Sequence, residues 1–194
     1  MSIVINYVFS SLKYLRVNVI YTNSLSNSMK LPFELNQLIG FLLKARLSGY
    51  AGSAPKVSPQ RPGCKEFETF IEGDFSYRDS YAGYYCAPGQ EIVWFKQKPI
   101  WMMAYSGGML PEFHGNLEFT AKTFNFLQKA LKSSNKKYPF RGSDHFDDGE
   151  FVYKNKTEGD ITQFSGEEKI LFKGKEVFFQ KYVGGLVMPK EVEK

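Results

Sequence analysis

Glu91 and Glu168 are the acids whose spacing is most suggestive of chemistry, because each falls inside a stretch that reads as a β-hairpin, over 90–106 and 167–182. A hairpin turn sets register, and register decides which side chains share a face. With Lys173-Gly174 as a two-residue turn, Ile170 opposes Val177 and Glu168 opposes Phe179. The first hairpin, turning at Gln97-Lys98-Pro99, correspondingly sets Val93 against Ile100 and Glu91 against Met102. Both carboxylates then project among aliphatic neighbours, where an acid must find a partner or take a raised pKa. Two such acids related by an approximate two-fold can converge as an acid/base pair or a clamp for a cationic ligand, with Glu91 as the candidate general base. The competing structural reading neutralises each glutamate within its own half, through backbone amides or the matched cations Arg78 and Lys154.

The other face of the first hairpin carries Ile92, Trp94, Trp101, Met103 and Tyr105, whereas the second presents Lys169, Leu171, Phe178, Gln180 and Tyr182 at matching positions. An apolar, aromatic second face is core, a subunit interface or the wall of a ligand cleft. Tyr77-Arg78-Asp79, followed by Tyr81, Tyr84 and Tyr85, is the densest polar-aromatic run. In a strand Tyr77, Asp79 and Tyr81 share one face and Arg78 points to the other. Arg78 can clamp a carboxylate or phosphate bidentately, or else pair internally with Glu91. Ser106-Gly107-Gly108 and Val183-Gly184-Gly185 read as strand-end turns rather than phosphate cradles. The oxygen-rich run Asp144–Glu150 lacks the spacing of a calcium loop, and His114 and His145 have no third partner in sequence, so no metal site is assigned.

These groups are positioned by elements that occur twice. Residues 89–108 lie without a gap over 166–185, sharing Gly89/Gly166, Glu91/Glu168, Phe95/Phe172, Lys96/Lys173, Lys98/Lys175, Tyr105/Tyr182 and both closing glycines. Upstream, 75–83 repeats as 151–159, and FLLKA at 41–45 as FLQKA at 126–130. Two copies of a supersecondary unit most simply make one domain with an approximate internal two-fold. The stripe Leu35, Leu38, Ile39, Leu42 and Leu43 predicts a first helix ending near Gly49. Asn116 caps a second, over about 117–133, with Leu117, Ala121, Phe124, Leu127, Ala130 and Leu131 inward. Residues 48–63, rich in Gly, Pro and Ser, form a long loop of the kind that serves as a lid. Strands are expected over 65–72, 75–83 and 151–155, and 133–149 reads as a polar loop. The fold class is therefore α+β: internally duplicated helix-plus-hairpin units make one mainly antiparallel sheet with two helices on one face. The domain is 31–194, with repeats at about 33–108 and 117–185.

At 194 residues, 43% of them hydrophobic, the chain can bury one core. The formal charge of +5 falls to +2 once Lys13, Arg16 and Lys30 are set aside, so composition supports no nucleic-acid partner for the domain. Residues 1–30 read as an adventitious extension ahead of Met29-Lys30; Asn6, Lys13, Arg16 and Asn18 break their apolar run too often for a membrane span. Cys64 and Cys86, with neither a CxxC motif nor a histidine cluster, suit a reduced, cytoplasmic protein. No nucleophile elbow, P-loop or dinucleotide fingerprint is present, and no cofactor is expected.

YRDSYAG, GQEIVW, the PIWMMAYSGG strand, Arg141-Gly142 and KYVGGLV together resemble a family of small prokaryotic proteins known as a domain of unknown function, whose members occur alone or behind Xre-type helix-turn-helix domains. The resemblance spans about 35–187 and implies a sensor or effector role, without a catalytic residue to carry over. The duplicated plan is also similar to effector-binding domains of the GyrI type, which enclose a small-molecule cleft containing an acidic residue. Three functions remain open. A small-molecule binding module would use Tyr77, Arg78, Glu91, Trp94, Trp101, Met103 and Tyr105. A hydrolase- or lyase-type enzyme would use Glu91 as general base, and an interaction domain would form a homodimer through the aromatic face.

Overall fold

The computed structural model describes residues 31–52 and 54–188, and the expected extension at 1–30 lies outside them. The chain divides into a unit Met1–Pro32 and a unit Phe33–Lys194, and the fold is that of the second. Helix α1 spans Leu35–Leu47, where the Gln37 side chain accepts from the Glu34 amide at 2.9 Å. It buries Leu38, Phe41, Leu42, Ala45 and Arg46, a stripe rotated from the expected one. Phe41 decides the rotation, stacking on Phe75 at 5.1 Å and meeting Phe70 at 5.6 Å. Helix α2 spans Leu117–Lys132, capped by Asn116, whose side chain accepts from the Phe119 amide at 3.0 Å. Its inward face is Thr120, Thr123, Phe126, Leu127, Ala130 and Leu131. Leu117 and Ala121, expected inside, are exposed. Phe126, stacked on Phe151 at 5.1 Å, turns the helix that way.

Among the described residues ten strands form one sheet: β1 Lys56–Val57, β2 Lys65–Phe67, β3 Phe70–Glu72, β4 Phe75–Tyr81, β5 Gly89–Phe95, β6 Lys98–Met109, β7 His145–Asp148, β8 Phe151–Asp160, β9 Gln163–Phe172 and β10 Lys175–Leu186. Their order is β1-β2-β4-β5-β6-β10-β9-β8-β7, with β3 also on β4, and every pairing is antiparallel. The fold is α+β. α1 meets β3 and β4, while α2 meets β7 and β8. The core under α2 is built from Met109, Phe126, Leu127, Tyr153, Ile170 and Phe178. Burying each such side chain contributes about 1.5–3 kcal/mol.

The hairpin register differs from expectation by one residue. The first hairpin turns at Lys96-Gln97, both at positive φ, and Ile100 is bulged out of the ladder, so Val93 pairs with Trp101 and Glu91 with Met103. The second turns at Lys173-Gly174 as expected, but Val177 is bulged in the same way, giving Ile170 opposite Phe178 and Glu168 opposite Gln180. Both extra residues are buried and add an apolar side chain to the interior. The ladders correspond position for position: Tyr77–Val93 with Tyr153–Ile170, Asp79–Glu91 with Asn155–Glu168, Gly89–Tyr105 with Gly166–Tyr182. Tyr105 and Tyr182 face each other where β6 meets β10, at the middle of the sheet.

The paired glycines are not strand-end turns. Gly107 and Gly108 lie inside β6, and Gly184 and Gly185 inside β10. Strands β8 and β9 run on to Asp160 and from Gln163, past the expected ends, because their ladder continues through small and polar residues.

Candidate functional site

The bulges place Glu91, Met103 and Tyr105 on the sheet face beneath the helices, together with Asp79 and Tyr77 from β4 and Glu168, Tyr153 and Tyr182 from the second half. Arg141 reaches into the middle of this face from the segment between α2 and β7, a stretch expected to be a polar loop. Its guanidinium lies over the Tyr105 ring at 5.4 Å and the Tyr182 ring at 5.5 Å. It forks onto Glu168, with Nη2 on Oε1 and Nε donating to Oε2 at 3.2 Å, while the Tyr153 hydroxyl donates to Oε2 at 2.6 Å. Burial works against the Arg141 charge, yet Glu168 beside it holds the guanidinium more firmly protonated than usual.

Glu91 occupies the matching position in the first half and is bound differently. Arg141 Nη1 stands 3.7 Å from its Oε1, and Arg46 Nε, from the last turn of α1, stands 3.9 Å from its Oε2. Glu91 and Arg46 are each only 3% exposed, and Glu91 Oε2 and Arg46 Nη1 have no hydrogen-bond partner. Asp79 sits opposite Glu91 in the β4–β5 ladder and accepts from the Tyr105 hydroxyl at 2.8 Å. Burial, then the neighbouring Glu91 charge, raises its pKa from 3.8 to about 7. Burial with the same two acids pushes the Tyr77 and Tyr105 phenols well up, so both are hydrogen-bond donors at neutral pH.

A cavity of about 270 Å³ opens over this half of the sheet. Asp79, Glu91, Arg46 and Arg141 form its polar end, Tyr50, Tyr77, Tyr105 and Phe178 its walls, and Lys56, Lys65 and Tyr84 lie toward solvent. Residues Tyr50, Ala51 and Lys56 come from the long segment after α1, so that loop does wall the cavity.

Of the seven residues expected to bind a small molecule, the cavity gathers Tyr77, Glu91 and Tyr105; Asp79, Tyr81 and Tyr84 of the same polar-aromatic run also line it. Met103 is buried on the same face without lining the cavity. Trp101 is fully buried elsewhere, its indole donating to the Ile161 carbonyl at 3.1 Å and its ring stacked on Phe164 at 5.7 Å; it has no open surface for a partner chain. Trp94 lies outside the cavity, paired with Ser76 in the β4–β5 ladder. Arg78 points away, donating to Thr69 at 3.0 Å and Glu66 at 3.3 Å, and Lys154 is exposed; neither is the counter-ion of Glu91 or Glu168. Arg46, Arg141, Lys56 and Lys65 were not anticipated as site residues. The placing of Arg46 on the apolar stripe of FLLKARL, and the Phe140-Arg141-Gly142 break in a polar loop, are the signals that point to them. Among the described residues no cluster of metal-ligating side chains forms, and no helix is long and apolar enough to cross a membrane.

Fold and site define a class: an antiparallel sheet under two helices, with a cavity floored by buried charge beside one half of the sheet. The family model described as Domain of unknown function (DUF5680) matches residues 79–187, more than half of the chain, and the chain belongs to that family. The match takes in Asp79, Glu91, Tyr105, Arg141 and Glu168, whereas Arg46, Lys56, Lys65 and Tyr77 precede it. No curated protein and no solved structure matches the chain.

Proposed function

We propose that this chain is a small-molecule binding module whose ligand occupies the cavity over the first half of the sheet. One contrast carries the reading. Glu168 takes three hydrogen bonds from Arg141 and Tyr153, while Glu91, equally buried at the matching position, takes none from the cations beside it and lines a cavity. A buried charged pair with unpartnered polar atoms on both sides is costly, and a ligand that completes it recovers that cost on binding. Tyrosine and phenylalanine walls around a few convergent polar groups are what a small organic ligand requires. The matching ladders support reading the two halves as copies, one kept for structure and one for binding. The module fits the effector role that the resemblance to proteins found alone or behind helix-turn-helix domains implies.

A thermal-shift screen of the full chain against metabolites, nucleotides and metals, repeated with Glu91→Gln, tests this, because a ligand bound to the native state raises its stability. The reading expects stabilising compounds whose effect is lost in a folded Glu91→Gln protein. Stabilisation by none, or identical shifts in parent and variant, removes it.

The Asp79–Glu91 pair favours a second reading, acid/base catalysis, since Asp79 at about 7 is half-protonated near neutral pH. It differs from the first in requiring turnover of the bound compound, lost in Asp79→Asn while binding persists.

A further inference from the structure

The two ends of the cavity differ in charge, and the difference describes the ligand. At the inner end three buried carboxylates, Asp79, Glu91 and Glu168, face two buried guanidiniums, Arg46 and Arg141. Glu168 is saturated by Arg141 and Tyr153, so the acid in excess is shared by Asp79 and Glu91, which face each other across the ladder. A ligand nitrogen carrying N–H donors, charged or as an amino group on a ring, supplies what that end lacks.

At the solvent end the signs reverse. Lys56 and Lys65 both line the cavity, and among the described residues neither forms an ion pair, whereas Lys156, Lys169 and Lys175 of the same sheet do. Both ammonium groups are held near one ring, at 5.9 Å and 5.5 Å from the Tyr81 centroid, and Lys65 also lies 5.8 Å from Tyr84. Among the described residues the only acids lining the cavity are Asp79 and Glu91, at the far end. Cation–π contacts hold the lysines in place without neutralising them, leaving both charges for an anionic group.

Resting on the binding reading above, we propose that the ligand is an aromatic molecule with separated charges: an N–H-donating head bound at Asp79 and Glu91, and an anionic tail, carboxylate or phosphate, bound by Lys56 and Lys65. Tyr50, Tyr77 and Tyr105 flank the ring between them.

Titration calorimetry with the full chain tests this using 4-(aminomethyl)benzoate, benzylamine and benzoate, together with adenosine 5′-monophosphate and adenosine to separate phosphate from carboxylate. At least one anion-bearing, amino-headed probe is expected to bind about tenfold or more tighter than its partner lacking the tail. Lys56→Ala/Lys65→Ala, both outside the core, is expected to erase that advantage while leaving the tail-less probe unchanged. Equal affinity with and without the tail, or an advantage that survives the double variant, overturns the anionic tail while cavity binding stands. Tighter binding of benzoate than of 4-(aminomethyl)benzoate overturns the amino head. If no probe binds although the screen returns neutral apolar ligands sensitive to Glu91→Gln, the charge assignment is wrong and the binding reading survives; if the screen too is silent, both fall.

Discussion

Glu91 and Glu168 flank one guanidinium, that of Arg141, yet only Glu168 is hydrogen-bonded to it. The ladders around the two glutamates match pair for pair, so the difference arises from what lies above the sheet. Over Glu168 the space is filled by Arg141 and the Tyr153 hydroxyl; over Glu91 it is the cavity.

Unequal bonding predicts unequal costs. Glu168→Gln breaks the fork from Arg141 and should destabilise by about 3–5 kcal/mol, whereas Glu91→Gln, which breaks no hydrogen bond to a cation and removes the charge facing Asp79, should cost less. Urea unfolding of the two variants beside the parent measures the order, and equal costs would contradict it.

Arg141→Ala removes the cation that serves both acids and covers both central tyrosines. A loss of about 3–5 kcal/mol is expected. Arg141→Lys should recover only part of it, because a point charge cannot reproduce the fork onto Glu168. Thermal melts of the three proteins decide this.

The pH dependence follows from Asp79. Its folded pKa of about 7 lies above the unfolded value of 3.8, so the folded state holds the proton more tightly. The stability this gives is complete below 3.8, falls as pH rises from there to about 7, and is gone above. Asp79→Asn should flatten that fall and be relatively more stable than the parent at pH 8. Urea midpoints from pH 5 to pH 8 provide the comparison.

Gly166 lies across the ladder from Tyr182, whose ring covers it so closely that an added Cβ would strike the ring carbons and hydroxyl. Gly89 stands in the same relation to Tyr105. Gly166→Ala should cost about 1–3 kcal/mol, and Gly89→Ala should in addition displace Tyr105 from Asp79 and weaken any cavity ligand. Melting temperature and calorimetry read the two effects separately.

The two similar stretches, 89–108 and 166–185, carry much of the architecture. Gly, Tyr and Glu recur at fixed spacing because the ladder needs them there, and the α+β plan follows from hairpins alternating with helices. The facing of side chains was not legible. Ile100 and Val177 look like ordinary alternating strand residues, and only folding shows them bulged and turned inward, which moves Met103 and Tyr105 to the side of Glu91. The counter-ions were hidden for a different reason: Arg46 and Arg141 lie far from Glu91 in sequence, and Arg78, adjacent in the motif, points to the opposite face. Arg78→Ala should accordingly leave cavity binding unchanged.

The most direct measurement is a crystal structure of the protein soaked with the strongest stabilising compound from the screen. The compound is expected between Tyr50, Tyr105 and Phe178, with a polar atom in hydrogen-bond reach of Glu91 or Asp79. Density for it on the outer face of the sheet, or anywhere that leaves the Glu91–Arg46 pair untouched, would contradict the assignment of this cavity as the binding site.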